Sequence, residues 1–298
     1  MKNILFFLLV TCTIAKAQND FQLSHFMYNE ITFNPAATGN SNKFIVSLLA
    51  RKQWTGMERS PASQFFNAHA YINKIKGGLG LTIINDQIGY ENTLNLKLSY
   101  AYHLKLSESS SLSAGFSGGF INKKLDGTKL IYEQNSDPNA IVNQTSMFMP
   151  DFAAGLEYNS EKFTAGISST HITQATNSAT IYKVPRHYFL YAKYNFKFDN
   201  ITITPAFLCK SSVFITQYEL NTNVMYKKML WIGATYRYNE SVVGLLGIVI
   251  KKIRIGYTYD FNSSQLRKQS NGSHEIMLQM VLNGFGKTKT DYKSPRFF

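Results

Sequence analysis

Charge is scarce in this chain. Only 16% of its 298 residues are Asp, Glu, Lys or Arg, where soluble domains carry about 25%. Cysteine is almost absent, with two in all, Cys12 and Cys209. A disulfide scaffold is therefore excluded. Long apolar runs are missing too. The longest, Ile4 to Val10 and Val242 to Ile250, fall far short of the roughly 20 residues a membrane-spanning helix needs. The mean hydropathy, −0.17, agrees that this is no bundle of membrane helices. Proline is rare, at 7 residues. Disorder is excluded, since hydrophobic residues make up 44% and disorder needs low hydrophobicity with high charge. Tyr and Phe are abundant, at 18 and 22. A large β protein remains, soluble or barrel-like.

The first residues read as an address. Lys2 gives a positive start, Ile4 to Val10 an apolar core, and Ala15-Lys16-Ala17 a small-x-small cleavage site. Residues 1–17 are expected to be a secretory signal peptide. Its removal leaves Cys209 as the sole cysteine, with no internal partner. Thr11 precedes Cys12, which does not suit lipoprotein processing. The net charge of +13 would fit nucleic acid, but export argues against that partner. Basic residues flanking membrane strands or lining a polar interior are the better reading.

The dominant period is two. From Leu94 to Leu106, seven apolar residues alternate with Asn95, Lys97, Ser99, Ala101, His103 and Lys105. Side chains of a strand alternate between faces, so this strand has one greasy side and one wet side. The same alternation recurs at 112–120, 187–198, 217–226, 253–262 and 275–282. A soluble sandwich also shows one apolar face, so strand count and turn spacing must decide. Fourteen strands are expected, near 43–51, 62–73, 77–86, 93–106, 110–122, 149–159, 161–170, 186–198, 200–210, 215–227, 229–238, 241–251, 253–262 and 273–285. Tight turns such as Lys251-Lys252 alternate with long connections at Lys52 to Pro61, Asn122 to Phe148, His171 to Pro185 and Asn262 to Gly272, although the connections after the ninth and eleventh strands are short and belong to the same rim as the long ones. An even count, with short turns on one rim and long loops on the other, marks a closed antiparallel outer-membrane β-barrel. Tyr and Phe near strand ends suit aromatic girdles. Strand 241–251 is apolar throughout, so its facing stays open. Residues 18–42 are expected to form an N-terminal periplasmic or plug-like segment, 43–285 the barrel, and 286–298 a basic tail.

Chemical motifs are weak. Gly115-Phe116-Ser117-Gly118-Gly119 matches G-x-S-x-G, but that motif needs a strand-to-helix elbow, and here it lies inside an alternating strand. His274-Glu275 begins H-E-x-x-H, yet position 278 is Leu. The six histidines (25, 69, 103, 171, 187 and 274) are dispersed along the chain, so no metal site is expected, and no cofactor. Arg237, Arg254, Asp260, Glu219 and Glu275 all fall on polar faces and read as lumen-filling ion pairs. The chain is expected not to be an enzyme. A barrel-embedded hydrolase using Ser117 is the alternative on this point.

A family resemblance runs from about residue 21 to the end. It is carried by Phe21-Gln22-Leu23-Ser24-His25-Phe26-Met27-Tyr28-Asn29, Phe33-Asn34-Pro35-Ala36-Ala37-Thr38-Gly39, and Arg51-Lys52-Gln53-Trp54-Thr55-Gly56. Asp86-Gln87-Ile88-Gly89, Ile255-Gly256-Tyr257-Thr258-Tyr259-Asp260 and Gly272-Ser273-His274-Glu275-Ile276 follow in order. The series resembles the PorP/SprF family of Bacteroidetes type IX secretion membrane proteins. The resemblance implies an integral outer-membrane barrel. It would assist secretion or surface anchoring of a large adhesin-type protein with a C-terminal sorting domain. Periplasmic ring or peptidoglycan-linked components of the type IX and gliding machinery would be further partners, and outer-membrane lipid would surround it. A transport barrel for small or hydrophobic solutes is the alternative. The partner surface is expected at the loop Lys52 to Pro61, on Arg51, Gln53, Trp54 and Arg59, because Trp and Arg concentrate binding energy. Trp54 as a girdle anchor, or folded back into the lumen, is the competing structural reading.

Overall fold

Fourteen antiparallel strands follow one another around a closed wall. They are Lys43–Lys52, Ala62–Ile72, Gly77–Ile88, Glu91–Ser107, Ser110–Asp126, Gln144–Ser160, Phe163–Thr170, His187–Tyr194, Ile201–Ser212, Thr216–Tyr226, Leu230–Arg237, Ser241–Ile250, Ile253–Asn262 and Ser273–Asn283. The short piece Phe196–Lys197 continues the eighth strand in register against the ninth. Closure comes from the last strand pairing with the first, Lys43 opposite Asn283 through Lys52 opposite His274. This computed structural model describes residues 20–41, 43–132, 140–174, 184–212, 214–263 and 268–284. The expected signal peptide and basic tail lie outside them. No helix among the described residues is long and apolar enough to cross a membrane, a statement that does not bear on strands.

The alternation has a direct cause. Leu98, Phe116, Ile167, Leu220, Ile232, Leu246 and Ile276 point outward and are half exposed or more, while Lys97, Ser117, Glu219 and Glu275 point inward and are buried. A closed wall leaves no unpaired strand edge in the hydrocarbon. In the twelfth strand the alternation is hidden in the sequence but real in space. Val243 and Leu245 face inward, buried, whereas Val242 and Leu246 face outward. Both faces are apolar because the inside is also packed.

The expected loop Asn122 to Phe148 is shorter than foreseen. Strands five and six stay paired from Asn122–Phe148 up to Asp126–Gln144. These pairs stand beyond the apolar band, where the outward face need not be greasy, so the alternation fades before the strands end.

The lumen is filled by the chain's own start. Asp20 to Ser41 threads through the barrel as three single 3-10 turns, Phe26–Tyr28, Glu30–Thr32 and Pro35–Ala37. The third begins with Pro35, and the Asn34 side chain accepts a bond from the Ala36 N–H; both features start helical turns. The segment begins at the long-loop rim, where the Asp20 N–H donates to His187 Nε2. It leaves at the short-turn rim, where His103 Nε2 donates to the Thr38 carbonyl and the Gly39 N–H donates to His69 Nδ1. Leu23, Phe26, Met27 and Phe33 pack on the inward Leu49, Phe65, Phe189, Trp231 and Met277. Two wall glycines make room for this. A Cβ on Gly115 would lie 2.2 Å from the Ala36 nitrogen, and one on Gly78 would lie 2.0 Å from the Thr38 oxygen.

Candidate functional site

Midway up the lumen, toward the long-loop rim, the plug is locked by buried charge. Arg51 Nη2 lies 2.6 Å from Asp260 Oδ2, and Arg237 Nη1 lies 2.9 Å from the same oxygen. Arg237 also reaches Glu219 at 3.3 Å, and Gln22 of the plug donates to Glu219. Glu275 accepts the Ser24 and His25 N–H groups and the His25 ring, at 2.8, 2.9 and 2.7 Å. Ser24 Oγ accepts from Arg51 at 2.9 Å. Lower down, Lys193 pairs with Glu30 and donates to the Met27 carbonyl. The inward acids and bases thus hold the plug as well as one another. Arg254 stacks over the Tyr28 ring at 4.4 Å and donates to Gln279.

A second cluster sits at the mouth. Asp151 Oδ1 accepts from His171 Nδ1 at 3.0 Å, and His171 Nε2 stands 3.5 Å from Asp20 Oδ2. Asn95 donates to the other Asp151 oxygen at 3.1 Å, and Lys97 lies 4.0 Å from it. The His171 and His187 rings meet edge-on, 5.7 Å apart. Burial alone would lower the His171 pKa. The hydrogen bonds and charges of Asp151 and Asp20 outweigh it and push the group up to about 9. Beside the cluster opens a cavity of about 210 Å³ that Phe21, Ile84, Asp86, Glu91, Lys123 and Pro185 help to line.

The four residues expected at a partner surface do not stay together. Arg51 points into the lumen, 4% exposed, and belongs to the plug lock. Its position corrects the sequence reading: it lies one residue before the strand's end, on the inward parity. Gln53, Trp54 and Arg59 do lie in the rim loop. The Gln53 N–H bonds the Pro61 carbonyl, and the Trp54 N–H donates to Ser273 Oγ. Thr55 exchanges backbone bonds with Gly272 and Asn271. Arg59 stacks on Tyr90 at 3.6 Å, and its carbonyl accepts from the Gly89 N–H. Trp54 and Arg59 both have left-handed backbones, φ 51° and 52°, uncommon for large side chains.

The expectation that the histidines are dispersed also needs correction. His171 and His187 close the two ends of one strand-to-strand connection, and Thr170 pairs with His187 across it. That spacing was the available signal. Asp20, the third member, carried none. Ser117 sits mid-strand opposite Ser99 and Ala153, facing the plug, with no elbow.

The model of the type IX secretion system membrane protein PorP/SprF matches residues 15–280. The chain belongs to the PorP/SprF family. No curated protein matches it. Among solved structures, the CymD monoaromatic hydrocarbon channel is similar at a TM-score of 0.56 and 11% identity, over 88% of this chain and 94% of that one. The Ralstonia pickettii toluene transporter TbuX matches at 0.50 and 9% identity, over 84% and 92%. The Acinetobacter baumannii outer membrane protein Omp33 matches at 0.47 and 12%, over 83% and 100%. At such identities the likeness concerns the fold, an outer-membrane barrel.

Proposed function

We propose that this PorP/SprF barrel works without catalysis, as a docking component of type IX secretion and gliding. Its long-loop rim receives or anchors a large adhesin-type protein bearing a C-terminal sorting domain. The short-turn rim faces periplasmic ring or peptidoglycan-linked components. One observation carries the reading: the lumen is occupied from rim to rim by Asp20 to Ser41, bonded to the wall at both ends. A filled barrel leaves its rims as the working surfaces. Gln53, Trp54 and Arg59 then offer the outer contact, on a loop fixed to its neighbours by backbone bonds. Trp54→Ala is expected to leave the heat-modifiable folded band unchanged and to reduce surface labelling of the cognate adhesin. Normal adhesin display from the folded variant refutes the contact.

A second reading is a conduit for small hydrophobic solutes. The mouth cavity with Ile84, Ile88 and Ile121 on its wall favours it, as does the fold shared with a monoaromatic hydrocarbon channel and a toluene transporter. The cavity volume, about 210 Å³, is below the 300–1,000 Å³ usual for ligand pockets, and the plug lies beneath it. Liposomes holding the protein are expected to pass small aromatic solutes no faster than empty ones.

A further inference from the structure

We propose that Asp20, His171 and His187 form a zinc-class metal site that fastens the head of the plug to the barrel mouth. One ligand atom from each lies within 4.8 Å of the others. The chemistry of the donors is specific. Two imidazoles and one carboxylate suit Zn²⁺, whereas Ca²⁺ and Mg²⁺ take oxygen ligands.

His171 is set up as a ligating histidine usually is. A ligating histidine commonly gives its other ring N–H to a carboxylate or backbone carbonyl, which fixes tautomer and aim. His171 gives Nδ1–H to Asp151 at 3.0 Å, leaving Nε2 toward Asp20 Oδ2 at 3.5 Å. His187 Nε2 accepts the Asp20 N–H at 3.2 Å, so its lone pair already points at the plug head, and a metal there takes the place of that hydrogen bond. The His187 Nδ1 is buried without a hydrogen-bond partner. Asp151 is itself held, by Asn95 at 3.1 Å and by Lys97. The two rings are 5% and 2% exposed as residues, so solvent does not compete for them. The adjoining cavity has room for a water as the fourth ligand, and Asp86 lines it, while Glu91 there is paired with Lys123 at 2.8 Å. Metal on His171 Nε2 displaces the proton that this nitrogen otherwise holds toward Asp20, while Nδ1–H stays on Asp151. The proton goes to solvent, and the Asp20 charge transfers from imidazolium to metal.

The site joins three parts of the chain: the plug head, the loop after the seventh strand and the start of the eighth. A metal there closes the long-loop end of the plug. It does not depend on the docking role above.

The test uses the full chain folded in mild detergent, purified with a tag free of histidine. Zinc retained after dialysis is expected at one per chain, and Co²⁺ is expected to give the visible band of four-coordinate cobalt. Asp20→Asn leaves all strand pairs in place, and a heat-shift gel confirms its fold. It is expected to lose the band, as is His187→Ala. Asp151→Asn removes the positioning group only and is expected to weaken binding about 10–100-fold. Mg²⁺ is expected not to compete. No saturable band from the folded wild type, or an unchanged band in folded Asp20→Asn, overturns the proposal.

Discussion

Arg237 is fully buried between Asp260 and Glu219, which makes it costly to remove. Its loss leaves Glu219 without its ion-pair partner and Asp260 with Arg51 alone. Breaking a buried pair from one side costs about 3–5 kcal/mol, so Arg237→Ala is expected to lower the urea midpoint for unfolding from detergent. Arg51→Ala is expected to act in the same direction, because it strips a partner from Asp260 and Glu275. A midpoint equal to wild type for both shows that the lock is dispensable. On the opposite face the solvent is lipid. Leu98 is 63% exposed there, and an arginine near mid-membrane costs about 2–4 kcal/mol. Leu98→Arg is expected to block assembly, seen as loss of the heat-modifiable band, whereas Lys97→Ser, on the lumen side, is expected to assemble. Parity made both facings legible in the sequence. What parity did not reveal was Arg51 as an internal residue, since a loop boundary one residue away had drawn it to the surface.

The strands were readable because two solvents act on them. Lipid demands an apolar outward face along the whole membrane height, so period two is imposed wherever the wall crosses it. Where that demand stops, at Lys123 to Asp126 and Gln144 to Met147, the signal stops although the hydrogen bonds continue. The plug obeys neither rule. Its 3-10 turns are three residues long, too short for a period, and its partners are remote in sequence, as with Gln22 and Glu219 or Ser24 and Asp260. Only close approach leaves a trace, in glycines such as Gly115 that face inward under Pro35 and Ala36. Gly115→Val should therefore displace the plug without disturbing the lipid face of its strand, because the added atoms meet plug backbone. The expected result is a folded heat-modifiable barrel with raised conductance in planar bilayers, against a quiet wild type. An equally quiet Gly115→Val barrel shows that the plug adapts in place.

The whole molecule sets a choice between passage and docking. A fourteen-strand wall encloses a lumen, and twenty-two residues of the same chain, 20–41, lie in it. Substrate passage requires those residues to leave, breaking the Arg51, Arg237 and Lys193 contacts together. Such a network, once satisfied, is held cooperatively, so the resting barrel is closed. Docking requires no such exit. Fixing the plug separates the two. Thr32 of the plug faces Asn67 of the second strand, with Asn67 Nδ2 donating to Thr32 Oγ1 at 2.9 Å. Cysteines at both positions, in a Cys209→Ser background, are within reach of a short bifunctional thiol reagent. Docking at the rim predicts that cells with the cross-linked plug still display the adhesin at the wild-type level, because Trp54 and its loop are untouched. Passage through the lumen predicts that display ceases on cross-linking and returns with a cleavable linker after reduction. The extent of cross-linking, read by gel shift, ensures that continued display is not carried by uncoupled barrels.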